Sequence, residues 1–279
     1  MSYSFNLQDK VAVITGAAGV LCSGFAKVIV ESGAKVALLD INKESVEKTA
    51  DELNKDYPNC AKAYAVNVLE KIQLEKCKDQ ILSDFGKIDI LINGAGGNSP
   101  KATTSQETYE KCENKQVKTF FDLEESGVKF VFDLNFLGTF LTTQVFAQSM
   151  LENGGCILNV SSMNAFSPLT KIPAYSAAKS SISNFTQWLA VHFADTNIRV
   201  NAIAPGFFAT NQNRQLLFNE KGELTPRSEK ILAHTPMKRF GKVEDLFASL
   251  LFLIDEDAAR FITGIVMPVD GGFSAYSGV

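Results

Sequence analysis

Tyr175-Ser176-Ala177-Ala178-Lys179 sets a phenol and an ammonium four residues apart. On a helix, residues at that spacing share one face. A phenol is a poor acid-base group at neutral pH because its ordinary pKa is about 10. A neighbouring ammonium favours the phenolate and lowers that value, so the pair is a candidate proton relay. Ser162 closes an apolar run upstream and can hydrogen-bond a substrate carbonyl. Tyr and Lys at this spacing are also common on plain surface helices, so the pair alone decides nothing.

A second set of residues suits a nucleotide. Gly16 follows the β-rich run Val11–Thr15, and Gly19 follows it closely. Glycines there allow a tight turn and bring a pyrophosphate against backbone N–H groups at a helix N-terminus. The spacing is not G-x-G-x-x-G, and a simple strand-to-helix turn would look the same. Asp40 ends the next apolar run. A carboxylate there accepts hydrogen bonds from an adenosine ribose and repels a 2′-phosphate, which favours NAD over NADP. Asn93-Gly94-Ala95-Gly96 closes the fourth such run, and small residues at that point leave room for a ligand at a topological switch point.

The surrounding pattern says what must hold these residues. Strands are expected at Val11–Thr15, Lys35–Asp40, Ala61–Val66, Ile88–Ile92, Cys156–Val160, Ile198–Ile203 and Ile265–Val269. Helices are expected at Ser23–Ser32, Glu44–Lys55, Glu70–Phe85, Tyr175–Ala194 and Val243–Ile254. Such alternation predicts an α/β fold, a Rossmann-type doubly wound parallel sheet of about seven strands with helices on both faces. Residues 1–279 read as a single domain, since no repeat or Pro/Gly-rich linker divides them. Two stretches break the rhythm, Gly97–Lys129 and Asn211–Pro236. Connections that long are often functional loops or lids, and the second is a candidate substrate lid.

Composition narrows the function classes. The chain has 279 residues, 46% hydrophobic and 21% charged, as in a soluble globular protein and unlike a disordered chain. The net charge is −4, so the basic footprint of a nucleic-acid binder is lacking. Apolar runs are strand-sized, short of the ~20 residues that span a bilayer, so no membrane partner is expected. No apolar leader opens the chain, and the five cysteines lack C-x-x-C spacing. Free thiols and a cytoplasmic location are the expectation. His192 and His234 lie too far apart in sequence to suggest a metal site.

Thr15-Gly16-x-x-Gly19, Asp40, Asn93-Gly94-Ala95-Gly96, Asn135, Ser162, Tyr175-x-x-x-Lys179 and Pro205-Gly206-Phe207-Phe208-Ala209-Thr210 occur in one order. Together they resemble the short-chain dehydrogenase/reductase family, over roughly Lys10 to Gly272. The resemblance implies hydride transfer with an NAD(P) cofactor, and Asp40 selects NAD. It implies Asn135, Ser162, Tyr175 and Lys179 as catalytic residues, with Asn135 holding a water near Lys179. It places the cofactor against Gly16, Gly19, Val20, Leu21, Asp40, Ile41, Asn67, Val68, Asn93, Gly94, Ala95, Gly96, Tyr175, Lys179, Pro205, Gly206, Phe208 and Thr210. Relatives of this kind are usually tetramers or dimers, so a homo-oligomer is expected.

The chain departs from the family at several points. Val20 and Cys22 stand where its turn has further glycines, Gly94 where it has Asn, and Asn67 where it has Asp. These departures, with Gly97-Asn98, the run Pro168–Tyr175, Asn211-Gln212-Asn213-Arg214 and the tail Pro268–Gly278, resemble the D-mannonate oxidoreductase branch. That branch interconverts D-fructuronate and D-mannonate. A sugar-acid substrate would meet Gly97, Asn98, Ser162, Asn164, Lys171, Tyr175 and Arg214, with Asn213 a further hydroxyl partner. Lys171 or Arg214 would take its carboxylate. The alternatives are another sugar-acid or keto-acyl reductase, such as a gluconate 5-dehydrogenase, and a non-catalytic nucleotide-binding protein.

Overall fold

The five residues of β1 (Val11–Thr15) are all buried because β1 lies in the middle of a sheet covered on both faces. Ala12 and Ile14 point into one hydrophobic layer and Val13 into the other, as the period of two along a strand requires. The structure, a computed structural model, describes residues 5–111, 116–210 and 214–278. The other strands are β2 (Lys35–Asp40), β3 (Ala61–Ala65), β4 (Ile90–Asn93), β5 (Gly155–Val160), β6 (Ile198–Pro205) and β7 (Val266–Val269). All pairings are parallel, in the order β3-β2-β1-β4-β5-β6-β7. From β1 the chain first builds outward through β2 and β3, then returns to β4 on the other side of β1. The loops after β1 and β4 therefore part, and a ligand crevice opens between them.

Helices α1 (Val20–Glu31), α2 (Lys43–Asp56) and α9 (Phe247–Ile254) cover one face, through Phe25, Ile29, Val46, Leu250 and Leu253. Helices α3 (Lys71–Phe85), α5 (Gly138–Phe146) and α6 (Pro173–His192) cover the other, through Leu74, Ile81, Phe146 and Leu189. Their ends follow local chemistry. Asn42 Oδ1 caps α2 by accepting from Ser45 N. Gly86, at φ 83°, stops α3. Pro173 occupies the first turn of α6, where its missing N–H is no loss, so α6 begins two residues before the expected start at Tyr175.

Both long connections contain helices that the polar pattern hides. Gly97–Lys129 carries 3-10 turns at Pro100–Ala102 and Phe120–Asp122 and leads into α4 (Glu125–Phe132). The second segment carries α7 (Arg214–Leu217) and α8 (Pro226–Ala233); Asn211, Gln212 and Asn213 lie outside the described residues. Val243–Ile254 begins as a 3-10 turn, Val243–Leu246, before α9. Helix α4, a π turn (Asp133–Leu137), α5 and a closing 3-10 turn run on without a break. This corrects the expectation of strand-length apolar runs only, since Glu125–Met150 is long and apolar enough to cross a membrane. Half of its apolar window is buried inside the protein, which accounts for its hydropathy.

Candidate active site

A groove of about 480 Å³ opens at the carboxyl ends of β1, β4, β5 and β6. Its wall on the β1 side is the turn from Gly16 to Leu21. Gly16 has φ +67°, and a Cβ there would come within 2.9 Å of Ala95 Cα; only glycine fits that approach. Thr15 ties the β1 and β4 turns together. Its hydroxyl accepts from Gly94 N at 3.1 Å and Ala95 N at 3.2 Å and donates to Ile92 O. Gly19 is the N-cap of α1 and offers no side-chain oxygen to the first-turn N–H groups. That helix end suits an anion.

Asp40 lines the same groove at the end of β2. Its carboxylate accepts from Ala18 N at 3.1 Å and Asn42 N at 3.0 Å, which fixes it at the rim of the turn. Tyr175, Lys179 and Ser162 line the opposite side, with Gly96, Gly97, Pro205, Gly206, Phe208 and Thr210. Gly206 is held by its N–H on Val269 O, and a Cβ there would strike Asp270. A cradle that Cβ atoms would fill, a bare helix N-terminus and a carboxylate at the end of β2 form a set that fits a dinucleotide.

Lys179 Nζ donates to Val160 O at 2.8 Å and lies 5.6 Å from the centre of the Tyr175 ring. Burial brings the pKa of its ammonium down to about 8. Burial also pushes the Tyr175 phenol up to about 12, partly offset by a hydrogen bond with Ser162. This corrects the expectation that Lys179 would draw the phenol down. Desolvation is the largest cause here, and the ammonium is hydrogen-bonded to a backbone carbonyl. Asn135 sits in the π turn and is fully buried. Its amide donates to Gly97 O at 2.7 Å and Val131 O at 2.8 Å. A Cβ on Gly96 would meet both Asn135 Oδ1 and Lys179 Nζ, so the two groups face each other across that glycine.

Other expected contacts fall elsewhere. Asn93 donates to Thr143 Oγ1 and Asn159 Oδ1 and accepts from Thr142. Its amide is spent inside the protein, and Asn93 does not line the groove. Ile41, Asn67 and Val68 stand at the ends of β2 and β3, outside the groove lining. Ile41 is exposed, Val68 is buried, and Asn67 Oδ1 accepts from Leu69 N in the approach to α3. Ala95 contributes backbone to the turn without lining the groove.

Of the expected substrate contacts, Gly97, Ser162 and Tyr175 line the groove. Asn98 is exposed and donates to Thr103 Oγ1. Asn164 is buried, with an Oδ1 that has no hydrogen-bond partner. Lys171 takes φ +71°, its carbonyl accepts from Thr104 N, and it lines a separate hollow beside Pro168 and Leu169. Arg214 is exposed over the Phe218 ring at 5.7 Å. Residues missed from the sequence, Cys22, Val160, Ser161 and Phe207, complete the lining. All four neighbour motif residues, and only the folded backbone shows which of them face inward. Cys22, Cys60, Cys77 and Cys156 are buried and free; Cys112 lies outside the described residues.

A family profile described as Enoyl-(Acyl carrier protein) reductase matches residues 16–274. An "Uncharacterized oxidoreductase" of Haemophilus influenzae is 58% identical over 98% of this chain and 96% of its own length. The "Uncharacterized oxidoreductase UxuB" of Bacillus subtilis is 54% identical over 98% of each chain. A solved structure from Haemophilus influenza, named a "putative D-Mannonate oxidoreductase" and holding bound NAD, is 57% identical, with a TM-score of 0.95 over 98% of both chains. The chain belongs to the short-chain dehydrogenase/reductase family, as an NAD-dependent oxidoreductase.

Proposed function

We propose that this oxidoreductase interconverts D-fructuronate and D-mannonate, with Ser162, Tyr175, Lys179 and Asn135 as its catalytic group. The observation that carries the reading is that Ser162, Tyr175 and Lys179 line one groove together with the Gly16–Leu21 turn and Asp40. The likeness to the Haemophilus structure named for D-mannonate supports the substrate.

Bound NADH supplies the hydride for the C5 ketone. Gly16, Gly19, Val20 and Leu21 would hold its pyrophosphate, Asp40 its adenosine ribose, and Lys179 its nicotinamide ribose. Ser162 donates to the carbonyl oxygen. Tyr175 gives its proton to that oxygen as the C=O double bond becomes C–O–H. A neutral phenol is the correct form for this donation, and acid-base help of this kind is worth roughly 10²–10⁴-fold. Asn135 fixes Gly97 and borders Lys179. The carboxylate of the uronate needs a cation. Lys171 and Arg214 stand four residues from the groove-lining Tyr175 and Thr210 and are the two candidates for it.

The test is NADH consumption with a panel of keto-acids and keto-sugars. D-fructuronate should be the best substrate. Faster reduction of a keto-acyl thioester, a 5-ketogluconate or a neutral keto-sugar would overturn the substrate assignment.

The working form is proposed to be a homo-oligomer. Phe130, Phe140, Trp188 and Val191 are exposed on α4, α5 and α6, and Phe185 packs between Phe140 and Trp188. An aromatic face of this kind suits a second copy of the chain. Sedimentation should show a dimer or tetramer that Trp188→Glu weakens; a monomeric wild type would sink it.

A further inference from the structure

Four consecutive residues at the end of β5 are tied to α6. Asn159 Nδ2 donates to Thr186 Oγ1 at 2.9 Å, and Val160 O accepts from Lys179 Nζ at 2.8 Å. Ser161 Oγ donates to Lys179 O at 3.2 Å, and Ser162 bonds to Tyr175. Ser161 Oγ also lies 2.8 Å from Ser183 Oγ, whose hydroxyl reaches the same carbonyl at 3.4 Å. Ser161 is only 2% exposed. A helix carbonyl has a second lone pair beyond the one its i+4 N–H uses; one of these two hydroxyls donates to it and the other donates to that hydroxyl, since each carries a single proton.

Lys179 is therefore gripped at both ends by adjacent residues of one strand end. Val160 holds the ammonium and Ser161 holds the main chain. The stem between them is long and rotatable. Fixing both ends leaves little freedom in where Nζ stands.

We propose that Ser161 is a positioning residue whose hydroxyl, together with that of Ser183, pins Lys179 to β5 and so sets the place of its ammonium in the groove. The idea deepens the catalytic reading and rests on it only in that Lys179 serves the bound cofactor. The titratable groups facing Nζ are Cys22 from α1 and Tyr175 from α6, with the neutral Asn135 across Gly96.

The experiment is a fluorescence titration of NADH binding across pH, with thermal unfolding alongside, for Ser161→Ala, Ser183→Ala, the double variant and Ser161→Thr. Either hydroxyl can serve the carbonyl, so each single loss should weaken NADH binding ~2–3-fold and the double loss ~20-fold, more than the product. Lys179 loses its proton near pH 8 in the wild type, and affinity should fall there. In the double variant a freer, better hydrated ammonium should move that midpoint upward. Ser161→Thr keeps the hydroxyl and should bind like the wild type. If the double variant does not fold, the contrast between Ser161→Ala and Ser161→Thr carries the decision. A lowered melting temperature with unchanged NADH affinity and pH midpoint would show a merely structural serine and overturn the proposal. NADH binding needs no sugar, so failure to reduce D-fructuronate would sink the substrate assignment without touching this one.

Discussion

Cys22 Sγ occupies the space that a side chain at position 94 would need. A Cβ on Gly94 would collide with it and would stand 2.9 Å from Thr15 O. In the sequence these are two separate departures from the family's turn and from its N-N-A-G. In space they are one exchange, with bulk moved from the β4 turn to α1. Burial pushes the Cys22 thiol up to about 12, so it acts as a neutral wall. Gly94→Asn alone should overpack the junction by ~1–3 kcal/mol. Thermal unfolding should show that loss, and Cys22→Gly in the same chain should recover most of it. Additive losses in the double variant would mean the two sites do not share the space.

Asp40 should decide between the two nicotinamide cofactors. Its carboxylate is held by Ala18 N and Asn42 N, and in the proposed cofactor pose it would repel a 2′-phosphate. Asp40→Ala should weaken NADH by ~1.5–3 kcal/mol, the loss of a charge-assisted hydrogen bond, and improve NADPH relative to it. Equal use of both cofactors by the wild type would contradict the placement.

Tyr175→Phe should abolish turnover, by at least ~10²-fold, with NADH binding nearly intact because the ring remains. The pH dependence follows from the same groups. Reduction uses the neutral phenol, present at all pH values below about 12. Its rate should hold to about pH 8 and decline above, where Lys179 loses its proton. Oxidation needs the phenolate together with the Lys179 ammonium, so the oxidative rate should climb up to about pH 8 and level off above it, where the gain in phenolate and the loss of ammonium oppose each other. Paired pH profiles of the two directions would show this contrast, and parallel profiles would not fit.

The parts legible in the sequence are those whose cause is local. β1 reads as a strand because both of its faces are buried, and Asp40 reads as the end of β2, where the structure places it at the groove. Helices α4 and α5 are hidden because their aromatics point both ways. Phe146 is fully buried while Phe130 is half exposed, which blurs the helical period. Asn93 misleads for a different reason. Its partners Thr142, Thr143 and Asn159 lie far along the chain, and nothing nearby shows that its amide is already satisfied. Sequence spacing alone predicts a lowered Tyr175 phenol, because Lys179 is four residues away. The opposite direction comes from burial, which only tertiary structure supplies.

A uronate substrate brings a carboxylate that a cation must meet. Among the described residues lining the groove, Lys179 is the one cation, and it is committed to Val160 O. A uronate therefore requires another cation to approach. Arg214 opens α7 shortly after Thr210 and lies over the Phe218 ring. Its guanidinium has the fork geometry for a bidentate hold on a carboxylate. Lys171 is less free to approach, because its left-handed backbone and its carbonyl bond to Thr104 N fix the main chain. Arg214→Ala should cost ~1.5–3 kcal/mol on D-fructuronate, roughly 10–150-fold in kcat/KM. A neutral keto-sugar should be reduced almost as before. Lys171→Ala is the paired control, expected to leave both substrates within about threefold. Equal losses on charged and neutral substrates in both variants would mean that neither cation reads the carboxylate, and a neutral sugar would then be the better assignment.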